Sequence, residues 1–171
     1  LGAAAGLATA VTFLLRRAHH PRIQFRVGAR FVGRHGDDWI VEYLAFVENR
    51  GDVPHQMRGL VFDVRGLARG EALRPGPPEI RGQVFFSRPL VPRGDRERPL
   101  SLMPTGEGAR VTLYPGTSMR YMYVDRVPPD IGYVLIHGML TRSHGEELRA
   151  DRVVQVPAGE TASAAAEATG R

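Results

Sequence analysis

From Ile23 to Phe31 apolar and polar positions alternate, with Ile23, Phe25, Val27, Ala29 and Phe31 interleaved by Gln24, Arg26, Gly28 and Arg30. A period of two is that of a strand with one buried face. Gly33 to Asp38 (GRHGDD) predicts a turn. Trp39 to Val47 (WIVEYLAFV) is nearly continuous apolar sequence, which predicts a central strand covered on both sides. Asn49, Gly51, Asp52 and Pro54 break it. A third strand is expected around Leu60, Phe62 and Val64, and a fourth over Ile80 to Ser87, after a proline-rich connection from Gly66 to Pro78. Leu90 to Gly108 reads as irregular. Ala109 to Tyr114, Met119 to Val124, Tyr133 to Leu140 and Leu148 to Val156 complete the set. The turn signals between them are Pro115-Gly116, Pro128-Pro129-Asp130 and Ser143 to Glu146.

No segment after Pro21 sustains a 3.6-residue period. Short strands punctuated by Gly and Pro predict a mainly β fold, an antiparallel immunoglobulin-like sandwich of about seven or eight strands over residues 23–157. Residues 158–171, rich in Ala, Glu and Thr, predict a flexible tail.

The start of the chain breaks the pattern. Leu1 to Leu15 carries no charge, and Arg16 and Arg17 follow at once. Residues 1–17 are therefore expected to form one transmembrane anchor helix, with 18–22 as a juxtamembrane linker. At about 1.5 Å per residue fifteen residues span about 22 Å, short of a hydrocarbon core of about 30 Å. A cleaved signal peptide is the rival reading, but its basic residues precede the apolar run, whereas here they follow it. Gly2, Ala3, Gly6 and Ala10 are small residues at spacings that let another helix approach closely. Arg16, Arg17, His19 and His20 fall at the membrane interface, where the arginines suit anionic lipid headgroups. Basic flanks stay in the cytoplasm, so the β domain is expected on the cytoplasmic side of a bacterial inner membrane, with the periplasm as the alternative.

Charge and composition narrow the chemistry. All 23 basic side chains are arginine, the formal net charge is +5, and cysteine is absent, which excludes disulfides and cysteine-held metals. The arginines are spread along the chain and interleaved with acids, a pattern that argues against nucleic-acid binding. Arg93, Arg96 and Arg98 form the densest run and are candidate partner contacts. His35 with Asp37 and Asp38 lies in a Gly-flanked turn and lacks a further metal ligand nearby. His137 interrupts the apolar run YVLIHGML, where a histidine satisfied by a hydrogen bond is expected. Glu146, Glu147, Asp125 and Asp130 sit beside turns, which carboxylates commonly cap. Ser87, Ser101, Ser118 and Ser143 lack a nucleophile-elbow setting, and phosphate-binding glycine motifs are absent. No catalytic residue, metal or cofactor is expected.

Val47-Glu48-Asn49-Arg50-Gly51-Asp52 followed by Leu60-Val61-Phe62-Asp63-Val64 resembles bacterial immunoglobulin-like domains of the FxLYD and CARDB type, in which an Asn-x-Gly turn joins two core strands. Leu113-Tyr114-Pro115-Gly116 resembles a later turn of such domains. The likeness spans about Trp39 to Pro157 and implies a non-catalytic envelope or membrane-tethered module, with no site residues. The insertion Gly66 to Pro78 and the extra strand Ile23 to Phe31 depart from it.

These readings converge on a non-enzymatic accessory subunit that packs with integral membrane subunits of a larger complex, of respiratory or photosynthetic type by analogy. The alternative is a tethered or secreted periplasmic module that binds a peptide, glycan or lipid.

Overall fold

A computed structural model describes residues 22–75, 84–90, 100–103 and 110–158. The expected anchor and tail, and with them Gly2, Ala3, Gly6, Ala10, Arg16, Arg17, His19 and His20, lie outside the described residues, as do Arg93, Arg96 and Arg98. Among the described residues there is no helix, and hence none long and apolar enough to cross a membrane.

Strand β1 (Ile23–His35) turns into β2 (Asp38–Asn49) through the two-residue loop Gly36-Asp37. Gly36 has φ 61°, the left-handed value that tight hairpins ask of their first loop residue. The chain then crosses to a second sheet as β3 (His55–Ala68). Three short segments, β4 (Arg88–Pro89), β5 (Leu100–Ser101) and β6 (Val111–Leu113), pair in turn along one edge of β3. Strand β7 (Ser118–Val127) returns to the first sheet beside β2. Strands β8 (Ile131–Arg142) and β9 (Glu147–Gln155) finish the second sheet as a hairpin beside β3. All pairings are antiparallel, giving one sheet in the order β1-β2-β7 and another in which β4, β5 and β6 share a lane ahead of β3-β8-β9. Among the described residues there are nine strands, three of them two or three residues long, against the seven or eight expected.

The alternation read from the sequence decides which residues meet between the sheets. Val41, Tyr43, Ala45 and Val47 of β2 are buried in one cluster with Leu60, Phe62 and Val64 of β3 and Val134, Ile136 and Leu140 of β8. A side chain of this size contributes about 1.5–3 kcal/mol when fully buried. At Gly138 the two sheets approach closely. A Cβ there would stand 2.5 Å from Val27 Cγ1 and 2.9 Å from Phe25 Cζ, so β1 rests on the backbone of β8.

Asn49 fastens the crossing between the sheets. Fully buried, it donates from Nδ2 to the carbonyls of Val53 (2.8 Å) and Leu113 (3.0 Å), and its Oδ1 accepts from Gly51 N–H at 2.9 Å. Its carbonyl accepts from Gly116 N–H at 2.8 Å, tying in the Pro115-Gly116 turn, where Gly116 has φ 70°. Two turns far apart in sequence thus meet at one residue.

Three expectations need correction. Leu90 to Gly108, expected to be irregular, holds β5, which pairs with Val61 and Phe62 of β3. Strand β2 is central in its sheet but covered on one side only: Leu44 is half-buried and Phe46 exposed, because no described element lies over that face. The strand expected over Ile80 to Ser87 is not formed in its described part. Residues 84–87 make a single bridge, Pro75 to Val84, and Phe85 N–H donates to the Arg74 carbonyl. They fold back on the proline-rich excursion, which leaves β3 only after Ala68, instead of joining a ladder.

Candidate functional site

Odd-numbered residues of β8 point away from the core, and the register sets them in rows with β3 and β9. These rows are Leu67–Tyr133–Gln155, Arg65–Leu135–Val153, Asp63–His137–Asp151 and Val61–Met139–Arg149. A free-standing sandwich turns polar residues outward on such a face. Here the first two rows are largely apolar. Leu73, Val84 and Phe85, from the excursion after β3, stand at their edge and enclose with them a groove of about 1020 Å³.

The excursion is pinned at its base. Glu71 accepts from Ala68 N–H at 3.1 Å and from the Ser87 hydroxyl at 3.0 Å, and the Phe86 side chain is buried. Leu73, Val84, Phe85, Tyr133 and Val153 nevertheless remain between 40% and 67% exposed. Large apolar groups gathered in a concave wall and left open to water mark a binding surface.

One end of the groove is polar. His137 Nδ1 contacts Asp151 Oδ1, and Arg65 Nε donates to Asp63 Oδ2 at 3.0 Å. The expected hydrogen-bonded histidine is therefore present, but outside the core and in the floor of the groove. Among the described residues no three His, Cys, Asp or Glu side chains are placed to share a metal ion. The groove is built to take an apolar segment at one end and hydrogen-bonding groups at the other.

A second cavity, of about 620 Å³, lies at the end of the same sheet, lined by His55, Gln56, Arg58, Arg110, Arg142 and His144 among others. Arg142 is bound to Glu146, and its second nitrogen donates to His55 Nδ1 at 2.8 Å. That bond leaves the proton of a neutral His55 on Nε2, which is buried without a described partner. Burial, and then the Arg142 cation, hold the imidazole below its ordinary value.

The other carboxylates singled out in the sequence sit where turns and ion pairs need them. Asp130 binds Arg88 at 2.6 Å, Glu147 binds Arg149 at 2.9 Å, and Asp125 accepts from Arg126 N–H at 2.8 Å. His35 and Asp38 close the first hairpin. Sequence reasoning missed the groove, although its floor carried a signal. In YVLIHGML both alternating sets are apolar, so one of them had to face outward.

No family model and no curated protein matches the chain. Among solved structures it is similar to the putative ApaA protein from Bordetella pertussis, with TM-score 0.46 and 14% identity over 81% of this chain and 97% of that one. A structural-genomics target gives TM-score 0.43 and 12% identity, over 79% and 87% of the two chains. The sporulation control protein Spo0M from Bacillus subtilis gives 0.41 and 10%, over 77% and 48%. These are β-rich bacterial proteins, and none of their roles transfers to this chain.

Proposed function

We propose that this chain is a non-catalytic accessory subunit, held by a single N-terminal span in a bacterial inner membrane, whose β domain captures a segment of an integral membrane partner. The observation that carries the reading is the open apolar groove over β3, β8 and β9. An outer sheet face that exposes Tyr133 and Val153, with Leu135 half-buried between them, gains by being covered, and the overhanging Leu73, Val84 and Phe85 give the covering segment a defined seat. Strand order supports an immunoglobulin-like relationship. β1, β2 and β7 stand as A, B and E of such a sandwich and β3, β8 and β9 as C, F and G, with the broken lane added beside C. The uncharged run before Arg16 supports the anchor, and the arginines after it support a cytoplasmic domain.

Extraction in mild detergent followed by native electrophoresis tests the reading. The chain is expected to migrate with a large assembly, and Leu135→Arg, which sets a charge in the groove floor, is expected to release it. Migration of the unaltered chain as a monomer would falsify the assignment. Because cysteine is absent, Arg34→Cys gives a single label site. An impermeant thiol reagent is expected to leave it unmodified in intact cells, and labelling would move the domain to the periplasm.

A second reading, a tethered or secreted periplasmic module that binds a peptide, glycan or lipid, draws on the groove's volume, which falls at the upper end of ordinary ligand sites. Monomeric migration together with labelling from outside would favour it.

A further inference from the structure

The groove leaves the opposite side of the molecule unexplained. Even-numbered residues of β2 and β7 point away from the core, and the register aligns them with β1 in successive rows: Arg26–Phe46–Arg120, Gly28–Leu44–Met122 and Arg30–Glu42–Val124. Arg126 lies beyond, opposite Ile40. An apolar patch thus runs from Phe46 and Leu44 on the central strand to Met122 and Val124 on the β7 edge, with Arg26 and Arg30 beside it on β1 and Arg120 and Arg126 before and after it along β7. Met122 and Val124 are about half exposed, and all four arginines are exposed.

The charge on this face is lopsided. Glu42 is the only acid in the three rows, and Arg30 neutralises it through a two-point pair, Nε to Oε2 at 2.8 Å and a terminal nitrogen to Oε1 at 2.9 Å. Glu48, one row further, is held by Arg50 at 3.0 Å. Arg26, Arg120 and Arg126 pair with no carboxylate among the described residues.

We infer that the outer face of the β1-β2-β7 sheet lies on an anionic lipid bilayer, its arginines on headgroup phosphates and its apolar patch at the headgroup–acyl boundary. Guanidinium forks bind phosphate at two points, and apolar side chains beside them add burial at a depth where an open sheet face reaches. Position favours a membrane over a protein partner. Only residues 18–22 separate Arg17 from β1, and five extended residues reach at most about 18 Å, so the edge of this sheet stays close to the surface the anchor enters. Neither of the two cavities described above opens on this face. The placement rests on the proposed anchor for its tether and turns the partner groove toward water.

The test uses the full chain in lipid nanodiscs of phosphatidylcholine, with or without phosphatidylglycerol. Met122→Cys carries an environment-sensitive fluorophore, Val153→Cys carries the same label on the opposite face, and nitroxide lipids serve as quencher. A blue shift and quenching at position 122 are expected only with phosphatidylglycerol, with no change at 153. Each arginine near a charged surface is worth about fivefold in the docked-to-undocked ratio. Combined Arg26→Gln, Arg120→Gln and Arg126→Gln are therefore expected to lower that ratio about a hundredfold, while retention in the bilayer after alkaline washing is unchanged. A label at 122 that stays solvated in phosphatidylglycerol discs overturns the inference, as does one protected only when a partner complex is added. Loss of the chain on alkaline washing defeats the anchor separately. The face is then read on added phosphatidylglycerol vesicles, where salt-sensitive, arginine-dependent quenching at 122 supports it and its absence overturns it.

Discussion

The two outer faces of this domain follow the same alternation and end with different shapes. On the β1-β2-β7 sheet the outward residues form an uncovered apolar patch flanked by Arg26, Arg30, Arg120 and Arg126. On the β3-β8-β9 sheet they form the floor of a groove, because the excursion after Ala68 folds back beside Leu67 and Tyr133. Connections make the difference. Strand β2 leaves its sheet at once through the Asn49 turn, whereas β3 is followed by a long, proline-rich loop with a pinned base. An open charged face suits a broad, fluid surface, and a concave apolar one suits a defined segment. One sandwich can therefore serve two unlike neighbours on opposite sides.

This contrast requires both faces to hang on one shared interior, and the largest effects are expected there. Asn49→Ala removes two buried donors and one acceptor and strands the carbonyls of Val53 and Leu113. A loss of about 3 kcal/mol is expected in urea unfolding, with groove and open face lost in one transition. Two separate transitions would break the comparison, since the faces would then belong to independent units. Gly138→Ala comes next. The new methyl collides with Val27 and Phe25 where β1 rests on β8, and overpacking of this kind costs about 1–3 kcal/mol. An unchanged midpoint would mean that the sheets are not in contact there.

Acid gives a smaller effect. The imidazole of His55 is held below its ordinary value in the folded state, so between that lowered value and about 6.5 the unfolded chain binds more protons. Stability is expected to be full above about 6.5 and to fall as pH drops through this window, by at most about 1.4 kcal/mol per pH unit. His55→Gln should remove that slope, which urea midpoints at a series of pH values would read. Least affected are the faces themselves. Leu135→Arg and Met122→Asp each change an outward side chain and are expected to change the unfolding free energy by no more than about 0.5 kcal/mol. Each should abolish a different association, partner capture for the first and lipid contact for the second. Loss of both by either variant would erase the distinction between the faces.

Much of the architecture was legible along the chain because strand alternation and turn residues act locally. Ile23 to Phe31, the Pro115-Gly116 turn and the Ser143 to Glu146 loop all lie where their residue types require. The failures also have local causes. Val84-Phe85-Phe86 has strand composition, but pairing depends on which backbone is within reach, and the excursion holds these residues beside Pro75 and Arg74. The apolar run Trp39 to Val47 implied cover on two sides, yet apolar outward residues are equally the mark of a surface awaiting a neighbour. Asn49 was visible as a turn residue. Its two distant carbonyl partners were not, since Leu113 lies 64 residues away.

By itself, the sequence determined the long strands, their inner faces, the turns between them and the uncharged segment ahead of Arg16. Those depend on periodicity, backbone preference and hydropathy, which neighbouring residues settle among themselves. Only the tertiary structure decided that Tyr133, Leu135 and Val153 share a groove with Leu73, Val84 and Phe85, and that arginines from β1 and β7 flank one apolar patch. Both arrangements depend on register and on where a loop returns, and these are fixed by pairings between residues far apart in the chain.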